Sequence, residues 1–262
     1  MIKAIFFDID GTLVSFRTHE IPNSTKRALK ALKEKGVKLF IATGRSPSQL
    51  DFFKEEDMSH FDGFITMNGQ YCYNEKEVIR EQCLDRQDLI DLLPYLERKE
   101  EIGSSFVELG YVYFNRMTEG IQKMWDSLGK TAPKLNFDSV ERVFEYKTYQ
   151  LSTYIPEEEE EEFFQYMSNS KSARWHPDFM DVIPKDGGKT VGIQAVCQYY
   201  GIEQDEIMAF GDGGNDKEML QYAKIGVAMG NAQDDVKEMA DFVTKDVDED
   251  GIEFALKQFG VL

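Results

Sequence analysis

Asp8-Ile9-Asp10-Gly11-Thr12 follows the apolar run Ala4-Ile5-Phe6-Phe7. Two carboxylates one residue apart leave what reads as a buried strand and meet a glycine turn. One can act as a nucleophile and the other can shuttle a proton, the pairing that covalent phosphoryl transfer needs. Three later clusters fit the same chemistry. Thr43-Gly44-Arg45 follows the strand-like segment 37–42, and Gly211-Asp212-Gly213-Gly214-Asn215-Asp216 follows the segment 206–210. Lys189 opens the helical segment that leads into the second of these. In an open parallel sheet, ligands bind beyond the carboxyl ends of the strands, so these clusters would meet in one acidic pocket holding one lysine and one hydroxyl. Carboxylates crowded around a phosphate call for a hard dication, and magnesium, held by one or two carboxylates, phosphate oxygen and water, suits them. The cation, the lysine and the hydroxyl would neutralise the equatorial oxygens of the transition state.

The elements that must position these residues follow from the apolar pattern. The near-continuous apolar run 2–8 predicts a strand buried on both faces. Residues 22–35 predict a helix with Asn23 or Ser24 as its cap, apolar Ala28, Leu29 and Leu32, and Gly36 as its stop. A strand over 37–42 follows, then a helix opened by Ser46-Pro47, then a strand over 62–67. This βαβαβ rhythm implies a parallel sheet covered by helices on both faces. The stretch 82–184 differs: short alternating segments at 111–114 and 148–154 read as half-exposed antiparallel strands among amphipathic helices. The α/β rhythm resumes with a helix over 189–200 ending at Gly201, a strand over 206–210, and short strands at 225–229 and 241–244. The expectation is an α/β fold: a doubly wound, mostly parallel, Rossmann-like core (1–81 and 185–262) with an inserted α+β cap (82–184), hinged near 80–86 and 181–187.

Four motifs in this order, Asp8-Ile9-Asp10-Gly11-Thr12, Ala42-Thr43-Gly44-Arg45, Lys189 and Gly211-Asp212-Gly213-Gly214-Asn215-Asp216, resemble the haloacid dehalogenase (HAD) superfamily. The large insertion between the second and third motifs, with Met67-Asn68-Gly69 before it, looks like the Cof-type subfamily with a type IIB cap. The resemblance implies a magnesium-dependent phosphatase acting on small phosphomonoesters, sugar phosphates first, with pyridoxal phosphate and nucleotide monophosphates behind them. It makes Asp8 the nucleophile and Asp10 the general acid/base. It assigns the metal to the Asp8 carboxylate, the Asp10 main-chain carbonyl and Asp212. Thr43, Lys189 and Asn215 would hold the phosphate, aided by backbone N–H groups near Ile9 and Gly44, and Asp216 would orient Lys189 or a metal-bound water. Thr190 stands where the family often has glycine, so Lys189 rests on spacing and order, with Lys185 as a second candidate. A phosphomutase with the same nucleophile, or a non-catalytic sugar-phosphate-binding regulator, are the rival readings. Arg45 is expected to form a structural ion pair near its strand end.

Composition narrows the field further. The chain has 262 residues, 42% of them hydrophobic, and a net charge of -18. That charge argues against nucleic acid as a partner, which would need a basic footprint, and means that phosphate must be recruited by local cations. No apolar run is long enough to span a membrane, and the N-terminus reads as a strand, without a signal-peptide layout. Cys72, Cys83 and Cys197 show no C-x-x-C spacing and read as reduced cytosolic thiols, which makes a cytoplasmic location the expectation. A monomer or weak homo-oligomer is expected, although nothing in the residues fixes the oligomeric state. Gly187-Gly188-Lys189-Thr190 imitates a nucleotide P-loop, but Ile183 stands where the first glycine is required. The segment 246–251 imitates an EF-hand loop, but Lys257 stands where the bidentate acid is required, and an acidic turn capping the last helix is expected. The six glutamates Glu157 to Glu162 are expected to open a helix, where negative charge complements the dipole. His19, His60 and His176 form no ligand spacing, and Trp175 and Phe179 read as core aromatics.

Overall fold

The computed structural model describes residues 1–53, 55–129 and 132–262. Its centre is the strand β1 (Ala4–Phe7), every residue of which is buried. β1 pairs in parallel with β2 (Lys38–Ala42) on one side and with β11 (Ile207–Gly211) on the other. Side chains alternate across a strand, and here both faces are apolar. Ile5, Phe7, Leu39 and Ile41 pack on one side under the helices α1 (Asn23–Glu34) and α9 (Gly251–Gln258). Ala4, Phe6, Phe40 and Ala42 pack on the other under α6 (Lys189–Tyr200) and α7 (Lys217–Tyr222). Phe6 stacks on Phe40 with centroids 4.9 Å apart, and Phe7 on Phe210 at 5.2 Å. The sheet is completed by β3 (Gly63–Thr66), β12 (Ile225–Ala228) and β13 (Phe242–Val243), all parallel, and by the antiparallel edge β4 (Tyr71–Tyr73) and β5 (Val78–Glu81). The order is β13-β12-β11-β1-β2-β3-β4-β5. The chain changes direction of travel at β1, which puts the ends of β11, β1 and β2 side by side at the switch point.

Between β5 and α6 the chain builds a second, antiparallel sheet in the order β7-β6-β8-β10-β9. Its strands are β6 (Ser104–Val107), β7 (Val112–Phe114), β8 (Gln150–Thr153), β9 (Ser170–His176) and β10 (Phe179–Pro184). Helices α3 (Arg86–Arg98), α4 (Glu119–Leu128) and α5 (Glu160–Phe164) accompany it. Asp85 caps α3 by accepting from the N–H groups of Gln87 and Asp88, and Thr118 caps α4. Leu92, Tyr95, Phe106, Leu151, Phe163 and Val182 form its own buried core. The fold is thus the α/β core with an inserted α+β cap that the sequence implies. Among the described residues no helix is long and apolar enough to cross a membrane.

Several local expectations need correction. Pro22, not Asn23 or Ser24, occupies the N-cap of α1, and no side chain caps that helix. Proline offers no side-chain acceptor, but its fixed φ already sets the entry of the chain. Ser46-Pro47 opens a three-residue 3-10 turn, Pro47–Gln49, in place of a helix. The Gln49 side chain accepts from the Ser46 N–H at 2.9 Å and closes that turn on itself. A four-residue helix, α2 (Glu55–Met58), follows, and another, α8 (Asp234–Lys237), precedes β13. The glutamate run does open a helix: a turn at Glu157–Glu159 runs into α5, and Glu160 pairs with Arg174 at 2.6 Å. Asp246 caps the turn Val247–Glu249 ahead of α9, while Asp248 pairs with Arg17.

Candidate active site

Asp8 and Asp10 leave β1, Thr43 to Arg45 leave β2, and Gly211 to Asp216 leave β11, three adjacent strands of one sheet. Lys189, the first residue of α6, has its ammonium buried between two carboxylates. Its Nζ donates to Asp8 Oδ1 and to Asp216 Oδ1, both at 2.6 Å. Lys185 is exposed, and of the two candidate lysines Lys189 is the one bonded to Asp8 and Asp216. Asp216 is 0% exposed and spends its other oxygen on the backbone N–H groups of Asp212 and Gly213, at 3.0 and 2.9 Å. Both of its oxygens are therefore committed to fixing the lysine and the loop. Asp212 accepts from the Thr12 hydroxyl at 2.7 Å.

Asp10 sits in a different environment from its neighbour two residues earlier. Arg45 holds it through two parallel bonds, Nε to Oδ2 at 2.7 Å and a terminal N–H to Oδ1 at 2.8 Å. The guanidinium stacks over the Phe52 ring at 4.6 Å. The ion pair expected of Arg45 is thus present, and its partner is a residue of the site itself. Thr43 is buried, and its hydroxyl oxygen accepts from the Arg45 N–H at 3.1 Å, which leaves the hydroxyl proton to donate elsewhere. Ile9 buries its side chain in the core under α1, so only its main chain can face a ligand. Asn215 donates to Asn68 Oδ1 at 2.9 Å.

Two glycines are dictated by these contacts. Gly11 has φ +88, and a Cβ there would lie 2.1 Å from Asp212 Oδ2. At Gly44 a Cβ would come within 2.9 Å of Asp181 Oδ2, a carboxylate supplied by the cap. The motif glycines make room for carboxylates arriving from distant parts of the chain.

The electrostatics are those of too many acids for one base. Burial pushes the Asp8 carboxyl up to about 7; Lys189 pulls it down, while Asp216 and Asp10 add to the rise. Burial likewise drives Asp212 well above the ordinary carboxylate range, helped by Asp8 and Asp216 and opposed by Thr12. Burial works against the charge of Lys189, but Asp216 and Asp8 outweigh it and hold the ammonium above its ordinary range. Oxygens of Asp8, Asp212 and Asp216 lie within 4.8 Å of one another. A cluster of hard oxygen donors, short of positive charge, fits a divalent cation such as Mg2+.

These residues line a cavity of about 280 Å3, to which Asp8, Asp10, Thr43 and Asn215 all contribute. The cap adds apolar Phe114, Met124, Trp125, Trp175 and Phe179, and polar Gln150, Ser152 and Asp181. Trp175 and Phe179, expected as core aromatics, therefore face the cavity while still packing on each other at 4.8 Å. His176 also lines it, and burial lowers its pKa. The sequence reading gave no role to Thr12, Asn68 or Asn231. Asn231 donates to the Gly11 carbonyl at 2.8 Å and accepts from the Val247 N–H at 3.0 Å, pinning the first loop to the one after β12. The Asn-Gly and Gly-Asn dipeptides at 68–69 and 230–231 were the available signals, since both mark turns.

A family model described as haloacid dehalogenase-like hydrolase matches residues 5–256. The chain belongs to that family, as a Cof-type member with a IIB cap, and its activity is that of a phosphatase. Among curated relatives it is 35% identical to the protein named Putative phosphatase YkrA of Bacillus subtilis (strain 168), over 99% of this chain and 98% of the relative. Among solved structures it is similar to the HAD subclass IIB sugar phosphatase BT4131, with a TM-score of 0.90 and 41% identity over 99% of this chain and 100% of that one. It is also similar to the HAD phosphatase BT1666 from Bacteroides thetaiotaomicron, with a TM-score of 0.88 and 37% identity over 100% of this chain and 96% of that one.

Proposed function

We propose that this phosphatase hydrolyses small phosphomonoesters, sugar phosphates first, by way of a phosphorylated Asp8. The observation that carries this reading is the contrast between two acids one residue apart. Asp8 lies against the buried Lys189 ammonium, whereas Asp10 is paired with Arg45. Acids placed in such different surroundings can take different roles.

In the first half-reaction an Asp8 oxygen attacks phosphorus, and the bond from phosphorus to the ester oxygen breaks. Asp10, released by the Arg45 guanidinium as substrate enters and protonated from solvent, gives that proton to the departing oxygen. In the second, Asp10 takes a proton from water, whose oxygen attacks phosphorus. The acyl-phosphate bond breaks, and Asp8 and inorganic phosphate are released. Thr43, Lys189, Asn215 and the backbone N–H groups near Ile9 and Gly44 hold the phosphoryl oxygens throughout. Mg2+ would be held by the Asp8 carboxylate, the Asp10 carbonyl and Asp212, and would supply positive charge to the transferring group. Asp216 keeps Lys189 and the Asp212 loop in place. The core (1–81 and 185–262) then carries the chemistry and the cap (82–184) the selection of substrate. The sugar phosphatase among the similar structures supports the choice of ester.

The test is turnover of p-nitrophenyl phosphate with Mg2+ and after chelation, in the parent and in Asp8→Asn. Chelation should abolish phosphate release, and Asp8→Asn should lower kcat by roughly 10^4-fold while leaving the melting curve cooperative. Substantial turnover in that variant would remove Asp8 from the nucleophile's role.

A further inference from the structure

A chain of hydrogen bonds runs from the cap into the core behind the phosphate-facing side chains. Its outer end is Asp181 on β10, a carboxylate only 3% exposed. Asp181 Oδ1 accepts from the Ser152 hydroxyl at 2.7 Å, and Oδ2 accepts from Asn68 Nδ2 at 2.8 Å. Asn68 Nδ2 reaches Gln150 Oε1 as well, at 2.9 Å, and Gln150 Nε2 donates to the Gly44 carbonyl at 3.1 Å. At its inner end, Asn68 Oδ1 accepts from Asn215 Nδ2 at 2.9 Å. Asn68 is 1% exposed and sits at φ 51, a left-handed conformation that asparagine tolerates better than most residues.

The chemistry of the outer end decides the direction of the whole chain. An ionised carboxylate can only accept. Asn68 must therefore turn its NH2 toward Asp181, which turns its carbonyl toward Asn215. Asn215 must answer with its own NH2, and the second hydrogen of that group is left for an acceptor in the cavity that Asn215 lines. Had the outer group been an amide, either end of each asparagine could have faced inward. A phosphate oxygen needs a donor there, so the direction matters.

We propose that Asp181 and Asn68 are positioning residues for the phosphate site: the cap carboxylate, acting through Asn68, fixes which end of Asn215 meets the bound phosphate. The proposal rests on the reading of Asn215 as a phosphate ligand. Because Asp181 and Gln150 belong to the cap while Asn68 and Asn215 belong to the core, the chain is complete only with the cap seated.

The experiment measures inorganic phosphate as a competitive inhibitor of p-nitrophenyl phosphate turnover, with Mg2+ present and the full chain. The variants are Asn215→Ala, Asn68→Asp, Asn68→Gly, Asp181→Asn and the double variant Asn68→Asp/Asp181→Asn. Asn215→Ala and Asn68→Gly should each raise the phosphate Ki about tenfold, the scale of one ordered hydrogen bond to an anion. Asn68→Asp should do the same by another route: a carboxylate at 68 still accepts from Asn215 but has no hydrogen for Asp181, and the repulsion between the two acids moves residue 68 out of reach of Asn215. Asp181→Asn should raise it less, about threefold, because an amide leaves both orientations of Asn68 open. The double variant should return Ki to within about threefold of the parent, since amide and carboxylate have exchanged places and their complementarity is restored. If Asn68→Asp does not fold, Asn68→Gly carries the test, as glycine accepts the positive φ. A lowered melting temperature with an unchanged Ki in the Asn68 variants would mean a purely structural contact and would overturn the relay. So would a failure of the double variant to recover. An unchanged Ki in Asn215→Ala would instead remove Asn215 from the phosphate site and take the relay down with it.

Discussion

At the scale of single residues, the site retains charge where burial disfavours it. Asp181 illustrates the trade. Burial pushes its carboxyl up to about 6, against the pull of hydrogen bonds from Ser152 and Asn68. Its ordinary value is 3.8, so the folded protein binds this proton more tightly than the unfolded chain does. The sign follows: ionising Asp181 costs stability progressively as pH rises from about 4 to about 6, and the cost is complete above that. A displacement of this size corresponds to roughly 3 kcal/mol. Asp181→Asn removes the cost, so its stability relative to the parent should grow by about that amount between pH 4 and pH 7. Urea denaturation of both proteins at the two pH values would read the difference, and a pH-independent difference would sink the argument. The same substitution weakens the orientation of Asn68, so stability and phosphate affinity should move in opposite directions, as they often do at functional sites.

At the scale of elements, the parts of the site that lie on regular structure could be read from the chain. The strands β1, β2 and β11 are buried on both faces, so their sequences are near-continuous apolar runs and their polar ends stand out. Helix α6 was legible to the residue, from Lys189 to the left-handed Gly201 that stops it. The edge strands β4 and β5 were not, because Val78-Ile79-Arg80-Glu81 is half exposed and carries no clean alternation of apolar and polar residues. Nor was the partner of Arg45, since Asp10 lies 35 positions away and only the closing of the sheet brings them together. The loop after β1 shows how tightly these ends are fitted. Gly11 is needed twice over, for its φ of +88 and because Asp212 fills the space where a Cβ would stand. Gly11→Ala should therefore displace Asp212 and cost on the order of 2 kcal/mol or more in stability, with a weaker apparent affinity for Mg2+ in the activity assay. Gly36→Ala is the control. It has a similar φ of +78 but nothing within 4 Å, so it should show the backbone cost without the change in Mg2+ dependence. Equal Mg2+ dependence in the two variants would refute the steric part of the argument.

At the scale of the whole molecule, the cavity is lined from two parts of the chain. The core strand ends bring Asp8, Asp10, Thr43 and Asn215, while the cap brings the apolar side chains of α4, β7, β9 and β10 together with polar Gln150, Ser152 and Asp181. Phosphoryl chemistry should then be common to all esters, while the leaving group should be judged by the cap. Trp125 is the clearest place to separate the two. Its indole N–H is engaged by the Pro133 carbonyl at 2.7 Å, which fixes the ring against the cluster of Phe114, Met124 and Leu128. It touches none of the acids, Lys189 or the Asp181 chain through any of its hydrogen bonds or ring contacts among the described residues. Replacing it by alanine removes wall area worth about 1.5–3 kcal/mol when fully covered, enough for roughly a 10- to 100-fold loss in kcat/KM for an ester that fills the cavity. Acetyl phosphate, too small to reach that wall, should be turned over within about twofold of the parent rate. The ranking of sugar phosphates should change as well, because each presents a different amount of apolar face to the ring. Equal losses on acetyl phosphate and on every sugar phosphate would mean that the cap acts on the chemistry itself, and the division between the two parts of the chain would have to be abandoned.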